Sequence, residues 1–195
     1  MQPPPVARRL AAHVWRFEDS CNVYVLQCGD RAFSVDFGSG AWLKALPALG
    51  IRRLTDVFLT HHHADQCAGL LRRPSWPFTI HAPGGEAEFL DPARIRQQQA
   101  RQAEGGCHLF PRSYAPPPRG IPGIAYDLGG NTEHRLQGLC LRFLLTPGHS
   151  PHAVTLIVEL DGLQWAFCGD AVHAGATIWQ PYHLEWDHWT GAGAL

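Results

Sequence analysis

No stretch of the chain approaches the roughly 20 consecutive apolar residues that a bilayer-spanning helix needs. The opening Met1-Gln2-Pro3-Pro4-Pro5, followed by Arg8-Arg9, lacks the apolar core of an export signal. Neither sign of charge is in excess: 16 Lys and Arg face 17 Asp and Glu, a formal charge of −1. Nothing in that balance would draw the chain to nucleic acid or to an anionic membrane. The six cysteines (Cys21, Cys28, Cys67, Cys107, Cys140, Cys168) form no C-x-x-C pair. Zinc-ribbon and disulfide-framework readings therefore fail, and reduced, mostly buried thiols are expected. Also missing are a G-x-S-x-G elbow, which leaves Ser150 and Ser34 without a serine-hydrolase context, and any phosphate- or dinucleotide-binding glycine loop. The expectation is a cytoplasmic protein acting on a small molecule, with self-association left open.

What the chain does have is apolar residues at 45%, enough for a packed core, and 12 histidines. A single domain over 1–195 is expected, in three portions. Residues 13–83 form a first αβ half, 84–123 a helix and a Pro/Gly-rich connector, and 124–195 a second, β-rich half. In the first portion Asn22 to Leu26 and Ala32 to Asp36 read as strands around a Gly29-Asp30 turn. Trp42, Leu43, Leu46 and Leu49 recur at helical spacing, closed by Pro47 and Gly50. A strand over Leu54–Leu59, a brief helix over Asp65–Arg72 and a strand over Phe78–His81 follow. Glu86–Glu104 reads as helix, restarting at Asp91-Pro92. In the last portion Leu139–Leu145 and Val154–Val158 are strands, and Gln164–Cys168 is another. Glu185 to Trp189 reads as the start of a helix. Alternating strands and helices argue for an α/β layered fold.

The chemistry concentrates at three strand ends. Thr60-His61-His62-His63-Ala64-Asp65-Gln66 follows the apolar run Val57-Phe58-Leu59. Alternation along an extended segment puts His61, His63 and Asp65 on one side and His62 on the other, structural or solvent-facing. Pro147-Gly148-His149 follows the second strand group, and Gly169-Asp170 the third. Imidazole nitrogen and carboxylate oxygen are ligands of zinc-like ions. At this histidine content an H-x-H pair arises by chance about once per chain; the added aspartate cuts that to roughly one in twenty. With the two later motifs, each at a strand end, coincidence explains the set poorly. Asp36, between a strand and a helix, reads equally as a turn residue and as support for a ligand. Cys67, Cys168 and His152 have simpler readings as packing or surface residues.

His61-x-His63-x-Asp65, Thr146-Pro147-Gly148-His149-Ser150 and Phe167-Cys168-Gly169-Asp170 resemble the successive motifs of the metallo-β-lactamase-fold hydrolases. Asp36 matches the aspartate that follows that family's early hairpin. The resemblance covers roughly residues 13–190. It implies a four-layer αβ/βα sandwich with the site along the sheets' shared edge, and one or two zinc ions (iron or manganese in some branches). It also implies a metal-bound hydroxide that attacks an ester, thioester, lactam or phosphoester. Carried over residue by residue, His61, His63 and His149 form the first metal site. Asp65 belongs to a second site or orients the attacking water, which makes it the catalytic candidate, and Asp170 bridges the two metals. Two features depart from the family. Gln66 stands where a histidine is usual, and no late Pro/Ser-His-Gly-like turn supplies the last histidine, for which His173 is the best stand-in. The expectation is a C-terminally shortened member, without its last helix and strand, holding one zinc ion firmly and a second weakly or not at all. The competing expectation is a catalytically impaired metal-binding domain of the same fold, part of a larger protein or assembly.

Overall fold

The computed structural model describes residues 5–72, 77–105, 117–173, 175, 177, 186–187 and 192–193. Seven strands run in sequence order through the first sheet. They are β1 (Ala7–Arg9), β2 (Val14–Glu18), β3 (Asn22–Cys28), β4 (Arg31–Val35), β5 (Arg53–Phe58), β6 (Thr79–Pro83) and β7 (Ile124–Leu128). The pairs from β1 to β4 are antiparallel. The expected hairpin turns at Gly29, whose φ of 65° lies in the left-handed region that glycine enters without Cβ strain. From β4 to β7 the pairing is parallel, through connections long enough to carry helices. The second sheet is an antiparallel meander in the order β11-β10-β9-β8. Its strands are β8 (Thr132–Leu136), β9 (Leu139–Leu145), β10 (Val154–Leu160) and β11 (Leu163–Phe167).

Period-two patterning gives the first sheet two apolar faces. Val23, Val25, Val57, Leu59, Ile80 and Ala82 pack with Trp42, Leu46, Cys67, Leu70 and Leu90 of the helical segments. On the opposite face Leu26, Phe33, Val35 and Phe58 meet Leu141, Phe143, Leu156, Val158 and Phe167 of the second sheet. The product is an α/β sandwich. On the outer face of the second sheet Cys140, Arg142 and Leu144 are exposed. Among the described residues no helix is long and apolar enough to cross a membrane.

The helices differ from their sequence pattern in one instructive place. Ala41–Leu49 is 3-10 rather than α-helix, with Pro47 inside it. Proline has no N–H for the ladder, and burial of Trp42 governs the segment. The Trp42 indole N–H donates to the Phe37 carbonyl at 2.7 Å. The brief helix after β5 is α1 (Ala64–Cys67), continued as a 3-10 turn over Ala68–Arg72. Helix α2 (Ala87–Leu90) gives way to α3 (Pro92–Gly105) at the expected Asp91-Pro92 restart. There the Asp91 carboxylate accepts from the backbone N–H groups of Ala93 and Arg94. The helix expected to begin near Glu185 is contradicted at Trp186–Asp187, which pairs as a short antiparallel ribbon with Ala192–Gly193. The remainder of that expectation, and the aromatic residues Trp179, Tyr182 and Trp189, lie outside the described residues.

Candidate metal centre

Parallel β4 and β5 end at the same edge, so Asp36 emerges beside Thr60 and the histidine run. The Asp36 carboxylate accepts from the Thr60 N–H at 2.8 Å, and the Thr60 hydroxyl stands 3.0 Å from both its oxygens. The same hydroxyl lies 3.0 Å from His61 Nδ1. With the hydroxyl proton on Asp36, Thr60 accepts from His61 Nδ1–H and leaves the lone pair on Nε2. Thr60 also fixes the second sheet: its carbonyl accepts from the Val154 N–H at 3.0 Å. Gly169 lies against it, where an added Cβ would come within 2.5 Å of Thr60 Oγ1.

These contacts bring the motifs together. His61 Nε2 lies 3.0 Å from His63 Nδ1, and His149 Nε2, 86 residues further on, lies 2.9 Å from that atom. All three imidazoles are buried. Nitrogens bound to one tetrahedral zinc at about 2.0–2.1 Å stand roughly 3.3 Å apart, so the three converge as ligands of one ion would. Burial, then the charges of His149 and His62, push the His61 pKa well down. It is therefore neutral and ready to ligate near pH 7. The residues present fit a divalent cation held by three imidazoles.

The carboxylates stand alongside. Asp170 Oδ2 lies 3.6 Å from His149 Nε2. Asp65 Oδ1 is buried with no hydrogen-bond partner among the described residues. Burial first, then the neighbouring Asp170, push the Asp65 pKa up to about 7. Burial raises Asp36 to about 8 against the opposing Thr60 hydrogen bonds, with Asp170 and Asp65 adding to the rise. The acid side of the site is short of positive charge, the condition a cation relieves. Gln66 spends its amide N–H on Asp170 Oδ2, at 3.2 Å, where a ligand would offer a lone pair. Asp65, Gln66, Asp170 and His173 line a cavity of about 540 Å³ together with Arg16 and Tyr24, and the buried histidines stand behind that wall, His149 beside Asp170. His173 lies on this wall, outside the three-nitrogen cluster.

Two groups were not found from the sequence. Glu86, fully buried just after β6, accepts hydrogen bonds from His62 Nδ1 and from the Ser150 hydroxyl. One carboxylate therefore braces the residue between two ligands and the residue next to the third. His62 is structural and not solvent-facing: it stacks on Phe89 at 4.2 Å. Ser150, committed to Glu86, is no nucleophile. The clue to Glu86 was its place after Gly84-Gly85 at a strand end. Gly85 is packed by His152, whose ring would meet a Cβ there at 2.2 Å. Cys67 is a buried thiol donating to the His63 carbonyl at 3.2 Å, the packing role expected of it. The second group surrounds His81 in β6.

Comparison with known proteins agrees with this geometry. The sequence model of the metallo-beta-lactamase superfamily matches residues 16–195. A probable metallo-hydrolase, YybB of Bacillus subtilis, is 27% identical over 156 residues, 80% of this chain but 60% of its own length. A hydroxyacylglutathione hydrolase of Dechloromonas aromatica is 36% identical over 66 residues, 33% of this chain and 25% of that protein. Among solved structures, a metallo-beta-lactamase of Cronobacter sakazakii with a HARLDQ motif superposes with a TM-score of 0.62 at 22% identity. It covers 91% of this chain and 69% of its own, and its motif ends in the same Asp-Gln pair as residues 61–66. The matched stretch spans well under the full length of the Bacillus relative. Family match and strand-end motifs agree: the chain belongs to the metallo-beta-lactamase superfamily.

Proposed function

We propose that the chain carries a metal-dependent hydrolase site for a small acyl substrate, holding one zinc-type ion on His61, His63 and His149. The observation that carries this is the meeting of three imidazole nitrogens from two distant segments, His61 Nε2 and His149 Nε2 lying 3.0 and 2.9 Å from His63 Nδ1, beside the cavity that Asp65 and Asp170 line. A bound divalent ion supplies a Lewis acid and a water acidified to a pKa of about 7. The chain's own residues do the rest. His61 is held in one tautomer by Thr60 and Asp36. Asp65, whose buried Oδ1 has no hydrogen-bond partner among the described residues, is placed to take a proton from a water or substrate in the cavity it lines. Asp170 holds charge opposite it.

Of the ester, thioester, lactam and phosphoester classes, a thioester is favoured by likeness, over 66 residues, to the hydroxyacylglutathione hydrolase. Arg16, paired through Nη2 with Glu18 and with its buried Nε lacking a hydrogen-bond partner among the described residues, lies on the cavity wall and suits a substrate bearing an acid group. A second reading, a metal-binding domain with impaired catalysis, is favoured by the Gln66–Asp170 hydrogen bond, which occupies the oxygen a second ion would need. A panel of chromogenic thioester, ester, phosphodiester and lactam substrates with and without Zn²⁺ separates the two. Thioester turnover that follows metal content and is lost in Asp65→Ala supports the enzyme. No turnover in any class at full metal loading supports the second reading.

A further inference from the structure

A second histidine–carboxylate group sits where the chain crosses from one sheet to the other. His81 in β6, Asp56 in β5 and Asp127 in β7 share the first sheet's inner face, because Phe58 pairs with His81 and His81 with Ala125. His134 in β8 faces them from the second sheet, its ring 5.3 Å from that of His81. Phe58 stacks on His81 at 4.7 Å and fixes its plane. None of these residues belongs to the first centre.

The hydrogen bonds are unequal. His81 Nε2 lies 3.1 Å from Asp56 Oδ1, and Nδ1 lies 2.9 and 3.1 Å from the two oxygens of Asp127. His134 Nε2 stands 3.9 Å from Asp127 Oδ2. That is outside hydrogen-bond reach, yet close to the roughly 3.3 Å between two ligands of one tetrahedral ion. The three ligand atoms lie within 4.8 Å of one another. An Nε2–H donated to Asp56 leaves the Nδ1 lone pair aimed at Asp127 and His134. This is the carboxylate–histidine pairing that orients metal-binding imidazoles.

We propose that His81 Nδ1, His134 Nε2 and the Asp127 carboxylate form a second divalent-metal site, of zinc type, which clamps the two sheets at their crossover. Asp56 is its positioning residue. Two imidazoles and one carboxylate suit zinc, cobalt or nickel better than calcium or magnesium. Asp127 and His134, 40% and 23% exposed, leave a path for the ion and room for a water as fourth ligand. Without an ion His81 is held between two carboxylates: burial lowers its pKa, but the Asp56 and Asp127 hydrogen bonds outweigh that and raise it.

The test is titration of the metal-stripped chain with Zn²⁺, and in parallel with Co²⁺, whose visible absorption reports tetrahedral nitrogen and oxygen ligation. The wild-type chain is expected to bind one equivalent more than His134→Ala or Asp127→Asn, both at partly exposed positions where folding survives. Asp56→Asn is expected to keep the equivalent with affinity about 10–100-fold weaker. Zn²⁺ should raise the melting temperature of His149→Ala, which lacks the first centre's third imidazole, but not that of His149→Ala/His134→Ala. Equal stoichiometry and Co²⁺ spectra in the wild-type chain and His134→Ala would overturn the proposal. So would a His134→Ala whose stability falls equally with and without Zn²⁺, the mark of an ion-pair network alone.

Discussion

Replacing Glu86 with alanine tests whether one buried carboxylate holds both halves of the first centre. The side chain is fully buried and accepts from His62 Nδ1 and Ser150 Oγ. Its pKa is held below the ordinary range because His62 and Ser150 outweigh the penalty of burial. Truncation leaves two donors in the interior, each costing about 1–3 kcal/mol, and breaks a buried pair, worth about 3–5 kcal/mol when one partner is removed. These overlap, so the expected loss is about 3–5 kcal/mol. In a chain of this size that corresponds to a fall of roughly 10 °C in melting temperature. Glu86→Gln keeps one acceptor and should lose about 1–2 kcal/mol. Because His62 lies between two ligands and Ser150 adjoins the third, Glu86→Gln should also bind Zn²⁺ about 10–100-fold more weakly. Urea unfolding of the metal-free proteins and competition titration against a chromophoric chelator measure the two effects. A Glu86→Ala protein within about 0.5 kcal/mol of the parent and equal to it in Zn²⁺ affinity would refute the reasoning.

The advantage of the parent over Glu86→Gln should also depend on pH. A depressed folded pKa gives stability above the unfolded value, so the difference in urea midpoint should stay constant above about pH 5 and shrink below about pH 4; a difference that grows on acidification would contradict the assignment. Gly169→Ala should lose about 2–4 kcal/mol and weaken Zn²⁺ binding, because φ is 53° and the new Cβ would press on Thr60; parental stability in thermal melts would rule out that close approach. Arg16→Ala should raise KM about tenfold or more for substrates bearing a negative charge and leave kcat largely unchanged; equal KM for charged and neutral substrates would remove Arg16 from substrate recognition.

The site was legible where chemistry and backbone signals coincide locally. His61, His63, His149 and Asp170 each follow an apolar strand, and the parallel β4–β5 pair with the β9–β10 hairpin brings those strand ends together. Glu86 was hidden because a carboxylate at the start of a helical stretch reads as solvated, whereas here it is buried against His62 and Ser150. Alternation put His62 on the face opposite its neighbours. It could not say that α2 covers that face, which makes His62 a buried strut. The group at His81 escaped for a related reason: its members lie on four different strands, 7 to 78 residues apart, and only sheet register and the packing of the two sheets bring them together. In the fold, spacing of Trp42, Leu46 and Leu49 fitted a helix but could not tell 3-10 from α, and the ribbon at Trp186 rests on a pairing with Ala192–Gly193 that no local signal announces.

The central claim is that His61, His63 and His149 bind one ion tightly while Gln66 keeps its neighbour weak. Elemental analysis after mild chelation and gel filtration tests it most directly, made in the His134→Ala background so that the crossover group cannot contribute. The account predicts one zinc-type equivalent, retained in His62→Ala and lost in His61→Ala, His63→Ala and His149→Ala. Two retained equivalents, or one that survives in His149→Ala, would contradict it.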